Sequence, residues 1–189
     1  MNDLKNIMKT LPFNLQQPFF KLLLEQGSLS EFEILVYNEP SLEKYLTPDD
    51  YLALISFDFK DKRSVIDIEK LINPYLDYSK YYSKNLIAVL LSLINRPNDL
   101  EKLATIYDWY CQGYAFLGEL ATKYGLYAEL YFWGEEHYGE FSKIELKAIK
   151  EQANFLYNKL ITAQIILLNP PSYDDDKEFY QELKDNSQS

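Results

Sequence analysis

The chain has 189 residues, of which 47% are hydrophobic and 16% aromatic, and its formal net charge at pH 7 is −10. This length and composition predict one domain that can bury a core without cross-links. The acidic balance argues against general binding to nucleic acid or to anionic membranes, because both require a basic surface.

Proline and capping residues divide the first half of the chain into predicted helices. Pro18 opens an apolar run that ends at Gly27, the order expected for the start and end of a helix. Thr47 precedes a proline and two aspartates, which predicts a capped start, and Ser64 begins a third helix. The apolar run 86–94 predicts a central helix that is buried on nearly every side.

A single long helix is predicted over 99–124, capped by Asn98 and ended by Gly125. Small residues recur along one side of it, at spacings of three and four: Cys111, Ala115, Gly118, Thr122 and Gly125. Such a stripe predicts close approach of a second helix, which would offset the cost of glycine inside a helix. Cys111 is expected to be a buried, structural member of this packing.

The last long helix begins at a predicted capping box formed by Ser142 and Glu145, and its apolar stripe continues to Leu167. Strand-like stretches at 32–37 and 126–133 have no hairpin partner, so we treat them as helical or irregular. Within the acidic stretch that follows, residues 174–183 are expected to form a short docked helix.

These elements together predict an all-α fold, a single-domain bundle of roughly seven to nine helices. The helical domain is expected over 1–172, followed by an acidic, partly disordered C-terminal segment over 173–189. The N-terminal residues lack a secretory signal, no apolar run is long enough to span a bilayer, and one cysteine cannot form an internal disulfide. We therefore expect a cytoplasmic protein that does not associate with membranes.

The most unusual composition lies at 106–141. This stretch contains two tryptophans, seven tyrosines, three phenylalanines, five of the six glycines, and the only cysteine and histidine of the chain. Residues 99–140 include eight acidic residues against two lysines, a net charge of −6. Spacing divides the stretch into a helical first half and a second half, 126–141, whose periodicity is broken by Gly134 and Gly139.

Little in this stretch predicts catalysis. Cys111 and His137 form the only thiol and imidazole pair available, but a reactive thiol needs an electropositive, accessible site that a buried apolar helix does not provide. One histidine is too few for a structural zinc or di-iron site, and no phosphate-binding glycine loop is present. We expect no cofactor, no bound metal and no enzymatic activity.

The chain resembles the immunity proteins of bacterial toxin systems, small cytosolic inhibitors of varied structure. The resemblance is one of composition and rests on the aromatic run 107–114 and on the acidic stretch to Glu140. It implies inhibition of a basic toxin domain, often a nuclease, by carboxylates that mimic phosphates and by aromatic anchors. Our hypothesis places the partner-binding surface in the second half, at Tyr131, Trp133, Glu135, Glu136, His137 and Glu140.

Two alternatives remain open at the level of sequence. A small carboxylate- or metal-dependent hydrolase could use Glu135, Glu136, His137 and Glu140, and a structural or scaffolding helical protein would need no particular partner. A homodimer is a further alternative if Phe132 and Trp133 are exposed together, because contiguous apolar surface is rarely left uncovered.

Overall fold

The computed structural model describes residues 10–24, 26–134, 140–170, 172 and 178–183. The chain forms two compact units, Met1–Asp77 and Tyr78–Ser189. The regular secondary structure of the described residues is helical apart from one two-stranded sheet, so the predicted all-α class is confirmed. The prediction of one domain over 1–172 stays a prediction, and each unit is described by itself below.

The described residues of the first unit form four α-helices and two 3₁₀ turns. They are α1 (Phe13–Leu23), α2 (Leu29–Asn38), a 3₁₀ turn (Pro40–Lys44), α3 (Pro48–Ile55), α4 (Ser64–Ile72) and a 3₁₀ turn (Asn73–Tyr75). The hydroxyl of Thr47 accepts a hydrogen bond from the backbone N–H of Asp50, which confirms the predicted cap of α3. The predicted start of α1 is wrong, because this helix begins at Phe13 and contains Pro18 in its interior.

Apolar side chains from all four helices form one core in this unit. Residues that are almost completely buried include Phe19, Val36, Leu42, Leu54, Ile68 and Ile72. The buried polar groups are paired: the Gln16 amide donates to the Leu11 carbonyl and accepts from the Asp77 N–H, and the Tyr75 hydroxyl donates to Asp50. Paired in this way, buried polar groups do not oppose folding.

In its described part, the second unit contains five α-helices and a small sheet. The elements are α5 (Tyr78–Asn95), α6 (Leu100–Cys111), a 3₁₀ turn (Ala115–Leu117), α7 (Gly118–Leu120), a π-helical segment (Ala121–Gly125), α8 (Leu126–Phe132), α9 (Lys143–Ile161), β1 (Ile165–Leu167) and β2 (Tyr180–Glu182). Packing of α5 against α9 and of α6 against the π-helical segment and α8 forms its core. In the described part of the chain, no helix is both long and apolar enough to cross a membrane.

The predicted long helix over 99–124 is wrong, because α6 ends at Cys111. Gly113 has a φ of +107°, and a Cβ at this position would collide with the ring of Phe179. Glycine adopts this left-handed conformation without the steric penalty of other residues, so it ends the helix. Cys111 is exposed and not buried. Because α6 ends at this residue, the predicted stripe of small residues is split between two helical segments.

A second helical stretch runs from α7 through the π-helical segment into α8, and Gly125 lies inside it rather than at its end. A Cβ at Gly125 would lie 2.8 Å from the carbonyl oxygen of Leu103 and 2.8 Å from the Cβ of Tyr107. The close helix approach that the small residues predict is thus present at Gly125. It brings α8 directly against α6.

The predicted central helix is α5, in which Leu86, Leu90 and Leu93 are completely buried. Leu91 is exposed, so α5 contacts the core on one side and not on nearly every side. The predicted capping box of α9 is confirmed: the hydroxyl of Ser142 accepts from the Glu145 N–H, and the Glu145 carboxylate accepts from the Ser142 N–H.

The chain after α9 differs from its prediction. Helix α9 ends at Ile161, and Ala163 adopts a φ of +56°, so Leu167 belongs to β1 and not to a helix. Strand β1 pairs antiparallel with β2, with Ile166 opposite Gln181. Residues 178–183 therefore contain a strand where a docked helix is expected, and Phe179 is only 9% exposed.

Candidate partner-binding surface

The surface at the C-terminal end of α8 is created by the way in which this helix ends. The N–H of Trp133 donates to the Glu129 carbonyl, and the N–H of Gly134 donates to the Tyr131 carbonyl, both at 3.1 Å. Gly134 has a φ of +90° with no atom within 4 Å of a Cβ built there. Glycine in this conformation ends the helix as predicted and leaves Trp133 at its terminus.

Both predicted aromatic residues of the surface are exposed. Trp133 is 83% exposed and Tyr131 is 46% exposed, while Glu140 is exposed two residues before the cap of α9. Three predicted residues lie outside the described part of the chain: Glu135, Glu136 and His137. Partner binding by this set stays a prediction.

A cavity of about 210 Å³, which we call the tryptophan cavity, lies between α6 and the end of α8. It is lined by Tyr107, Leu126, Glu129, Leu130 and Trp133. The last four residues are spaced at i, i+3, i+4 and i+7, so they share one face of a helix. The cavity has mostly apolar walls with a single carboxylate.

A second surface cavity, which we call the acidic cavity, has a volume of about 370 Å³. It is lined by Glu101, Ala104, Thr105, Asp108, Glu129 and Phe132. Glu129 lines both cavities, because it lies on the side of α8 that faces the exposed surface of α6. The two cavities therefore form one continuous surface that combines three carboxylates with two exposed aromatic rings.

The charges of this surface are only partly neutralised. Lys102 lies 2.8 Å from Glu101, but neither Asp108 nor Glu129 forms an ion pair with a described lysine or arginine. A hydrogen bond to the Cys111 thiol, burial and the charge of Glu129 all raise the pKa of Tyr107. Tyr107 is therefore neutral at pH 7, and the net charge of the surface is negative.

The structure separates the two predicted aromatic residues. Tyr131 lines neither cavity; it lies one turn from the exposed Tyr127, and its ring contacts that of Phe132 at a centroid distance of 5.7 Å. Residues two positions apart lie on nearly opposite sides of a helix, so Tyr131 and Trp133 point to different surfaces.

Sequence reasoning missed the residues that accompany Trp133 in the cavities. Asp108 and Glu129 are counted among the acidic residues and Tyr107 belongs to the aromatic run 107–114, but none of the three is assigned to the site. In the sequence, the i, i+3, i+4, i+7 spacing indicates that four residues within 126–133 share one face of α8: Leu126, Glu129, Leu130 and Trp133. The neighbouring side chains of α6 carry no such signal, because their position depends on how the two helices pack.

Trp109, by contrast, belongs to the core of the second unit. It is half-buried, and its ring contacts those of Tyr82 and Tyr114 at centroid distances of 6.3 and 6.5 Å. Tyr114 is completely buried, its hydroxyl donates to the Asn169 carbonyl at 2.9 Å, and burial raises its pKa. The first half of the aromatic stretch is thus mainly structural.

The described residues contain no group of three or more His, Cys, Asp and Glu side chains that could hold a metal ion. The hydrolase alternative falls largely outside the described part of the chain, since Glu140 is the one member of its four residues that lies within it. The observed surface combines apolar rings with two carboxylates, Asp108 and Glu129, that have no ion-pair partner among the described residues. This combination is suited to binding cationic and apolar groups.

Comparison with known proteins gave no match to a family model, to a curated protein or to a solved structure.

Proposed function

We propose that this protein is an inhibitor that binds a basic protein partner, such as a toxin nuclease, through the surface formed by α6 and the end of α8. The observation that carries the proposal is the exposure of Trp133 in the same cavity as Glu129, with Asp108 in the adjoining acidic cavity. Neither carboxylate has an ion-pair partner among the described residues.

Exposed tryptophan is the side chain most suited to anchor such a contact. It buries a large apolar area with little loss of rotamer freedom, and it is enriched among the residues that dominate binding energy. In the tryptophan cavity it adjoins Leu126 and Leu130, which extend the apolar area. This arrangement supports an anchor at Trp133 surrounded by weaker polar contacts.

The carboxylates favour a basic partner over an acidic one. Glu101, Asp108 and Glu129 line one cavity within a chain whose net charge is −10. Opposite charge on a partner would accelerate association, and like charge would oppose it. A second copy of the chain is disfavoured for the same reason, because a two-fold contact would bring the same acidic surfaces together.

The test is to mix the purified protein with the basic protein encoded by the neighbouring gene and to measure the dissociation constant by calorimetry. We expect Trp133→Ala to weaken binding by at least about tenfold, as for an interface anchor. The double variant Asp108→Asn/Glu129→Gln should slow association, and raising the salt from about 0.05 to about 0.5 M should weaken binding because charges are screened.

Matched changes elsewhere on the second unit separate this surface from general effects. Phe155→Ala removes another exposed aromatic ring, and Glu151→Gln removes another exposed carboxylate; both residues are on α9. Neither change should alter binding. The proposal is wrong if the partner does not bind, or if the Trp133 and Phe155 variants bind equally well.

A further inference from the structure

The tryptophan cavity has the size of a single side chain. Its volume of about 210 Å³ lies below the range of roughly 300–1,000 Å³ that is usual for small-molecule sites. Four of its five lining residues present apolar or aromatic surface, and the fifth, Glu129, provides a carboxylate. An occupant that matches these walls has an apolar stem and a cationic end.

We propose that the tryptophan cavity binds one arginine side chain of the basic partner, with its guanidinium against Trp133 and paired with Glu129. This inference rests on the proposed function and names the chemical group that the surface recognises. Arginine fits better than lysine because its planar guanidinium both stacks on an indole and pairs with a carboxylate through two N–H groups.

The charge balance of the cavity supports a cationic occupant. Glu129 has no ion-pair partner among the described residues, and Tyr107, the other ionisable group of the cavity, stays neutral at pH 7. No charged side chain among the described residues therefore compensates the carboxylate of Glu129 in this cavity. The adjoining Asp108 and Glu101 add to the negative potential that attracts a cation.

A second copy of this chain is a poor source of the arginine. The chain contains two arginines, and each already forms an ion pair: Arg63 lies 2.8 Å from Asp61, and Arg96 lies 3.6 Å from Asp99. Either would have to leave its own carboxylate to enter the cavity of another copy. The arginine is therefore expected from a different, basic protein.

The test needs no knowledge of the partner. Full-length protein labelled with ¹⁵N is titrated with N-acetyl-arginine amide, and the two indole N–H resonances are followed by NMR after assignment with Trp133→Phe. We expect the Trp133 resonance to shift while that of Trp109 stays in place. The neutral analogue N-acetyl-citrulline amide should bind about fivefold more weakly, because it lacks the cationic end.

Two variants of equal charge test the role of Glu129. Glu129→Gln should abolish the preference for arginine over citrulline, and Glu151→Gln should retain it. Equal binding of the two amides to the unmodified protein would overturn the proposal, as would a preference that survives in Glu129→Gln. Tighter binding of N-acetyl-lysine amide than of the arginine amide would overturn the assignment of arginine.

The two sets of experiments distinguish failure of the arginine assignment from failure of the proposed inhibitor function. If a basic partner binds through Trp133 but arginine amide does not bind in the cavity, only the inference about arginine is lost. If arginine amide binds as expected but no basic partner is bound, the cavity assignment stands and the proposed inhibitor function falls.

Discussion

Gly125 shows at the scale of one residue how a small side chain permits close helix packing. The sequence predicts such an approach along a stripe of five small residues, and the structure places it at Gly125, where α8 meets the backbone of α6. Cys111 does not share in it, because α6 ends at this residue and the other four residues of the stripe lie beyond its end. Spacing predicts a shared helical face only while the helix continues.

We expect Gly125→Ala to lower the free energy of unfolding by about 1–3 kcal/mol, because the new Cβ overpacks against backbone that cannot move freely. Gly118→Ala is the matched control in the same helical stretch. Its Cβ would lie 3.2 Å from a ring carbon of Tyr110, which can shift. Urea denaturation followed by circular dichroism measures both variants.

Replacing glycine by alanine raises the helix propensity equally at both positions. The difference in unfolding free energy between the two variants therefore measures the cost of the close contact at Gly125. Equal stability of Gly125→Ala and Gly118→Ala would contradict the observed approach of α8 to α6.

Local sequence predicts the starts of α3 and α9 well, although it misplaces the start of α1 and assigns the cap of α6 to Asn98 instead of Asp99. The caps at Thr47 and Ser142 appear as predicted, because a capping hydrogen bond joins residues only three positions apart. Helix ends are predicted less well. Both α6 and α9 stop within a continuing apolar pattern, two residues before Gly113 and Ala163, where the backbone takes positive φ values.

The capping box of α9 predicts a pH dependence of stability. Hydrogen bonds from the Ser142 hydroxyl and backbone N–H lower the pKa of Glu145 below its ordinary value of 4.5. A lowered pKa contributes stability that is fully present above pH 4.5 and is lost as the pH falls through the folded-state value. The difference in unfolding free energy between wild type and Glu145→Gln should therefore shrink in acid.

Chemical denaturation at a series of pH values from about 7 to about 3 measures this difference. Ser142→Ala serves as the control, because it removes the hydroxyl that lowers the pKa of Glu145. When both proteins also carry Ser142→Ala, the difference in unfolding free energy caused by Glu145→Gln should depend less on pH. If the difference in unfolding free energy between wild type and Glu145→Gln stays constant down to the lowest pH, the charge of Glu145 does not contribute to stability.

The C-terminal strand β2 is an element that the sequence does not predict. Its pairing with β1 joins residues more than ten positions apart, and each strand has only three residues. Phe179, next to β2, enters the core of the second unit and its ring occupies the space beside Gly113. A segment that composition marks as an acidic tail thus contributes a buried ring.

We expect Phe179→Ala to destabilise the protein by about 3 kcal/mol, because a buried ring is lost and a cavity remains. Leu183→Ala, in the same segment but 49% exposed, should cost less than about 1 kcal/mol. Thermal and urea denaturation measure both changes. If Phe179→Ala and Leu183→Ala both destabilise the protein by the same small amount, this segment does not pack as the structure describes.

At the scale of the whole molecule, negative charge and aromatic surface come together on the second unit. More than half of the net charge of −10 lies within residues 99–140. In this stretch, carboxylates with no ion-pair partner among the described residues line the cavities at α6 and α8, where Trp133 is exposed. Two tryptophans that look alike in sequence take different roles. Trp109 packs in the core, and Trp133 lies exposed after α8 has ended.

The sequence by itself determined the helical class, the capped starts of α3 and α9, and the acidic charge. These depend on composition and on residues within one turn of each other. Only the tertiary structure decided that Tyr107, Glu129 and Trp133 line one cavity, that Tyr131 lies apart from it, and that Phe179 is buried. Such neighbours come from different elements, and their contacts depend on where helices end and how closely they pack.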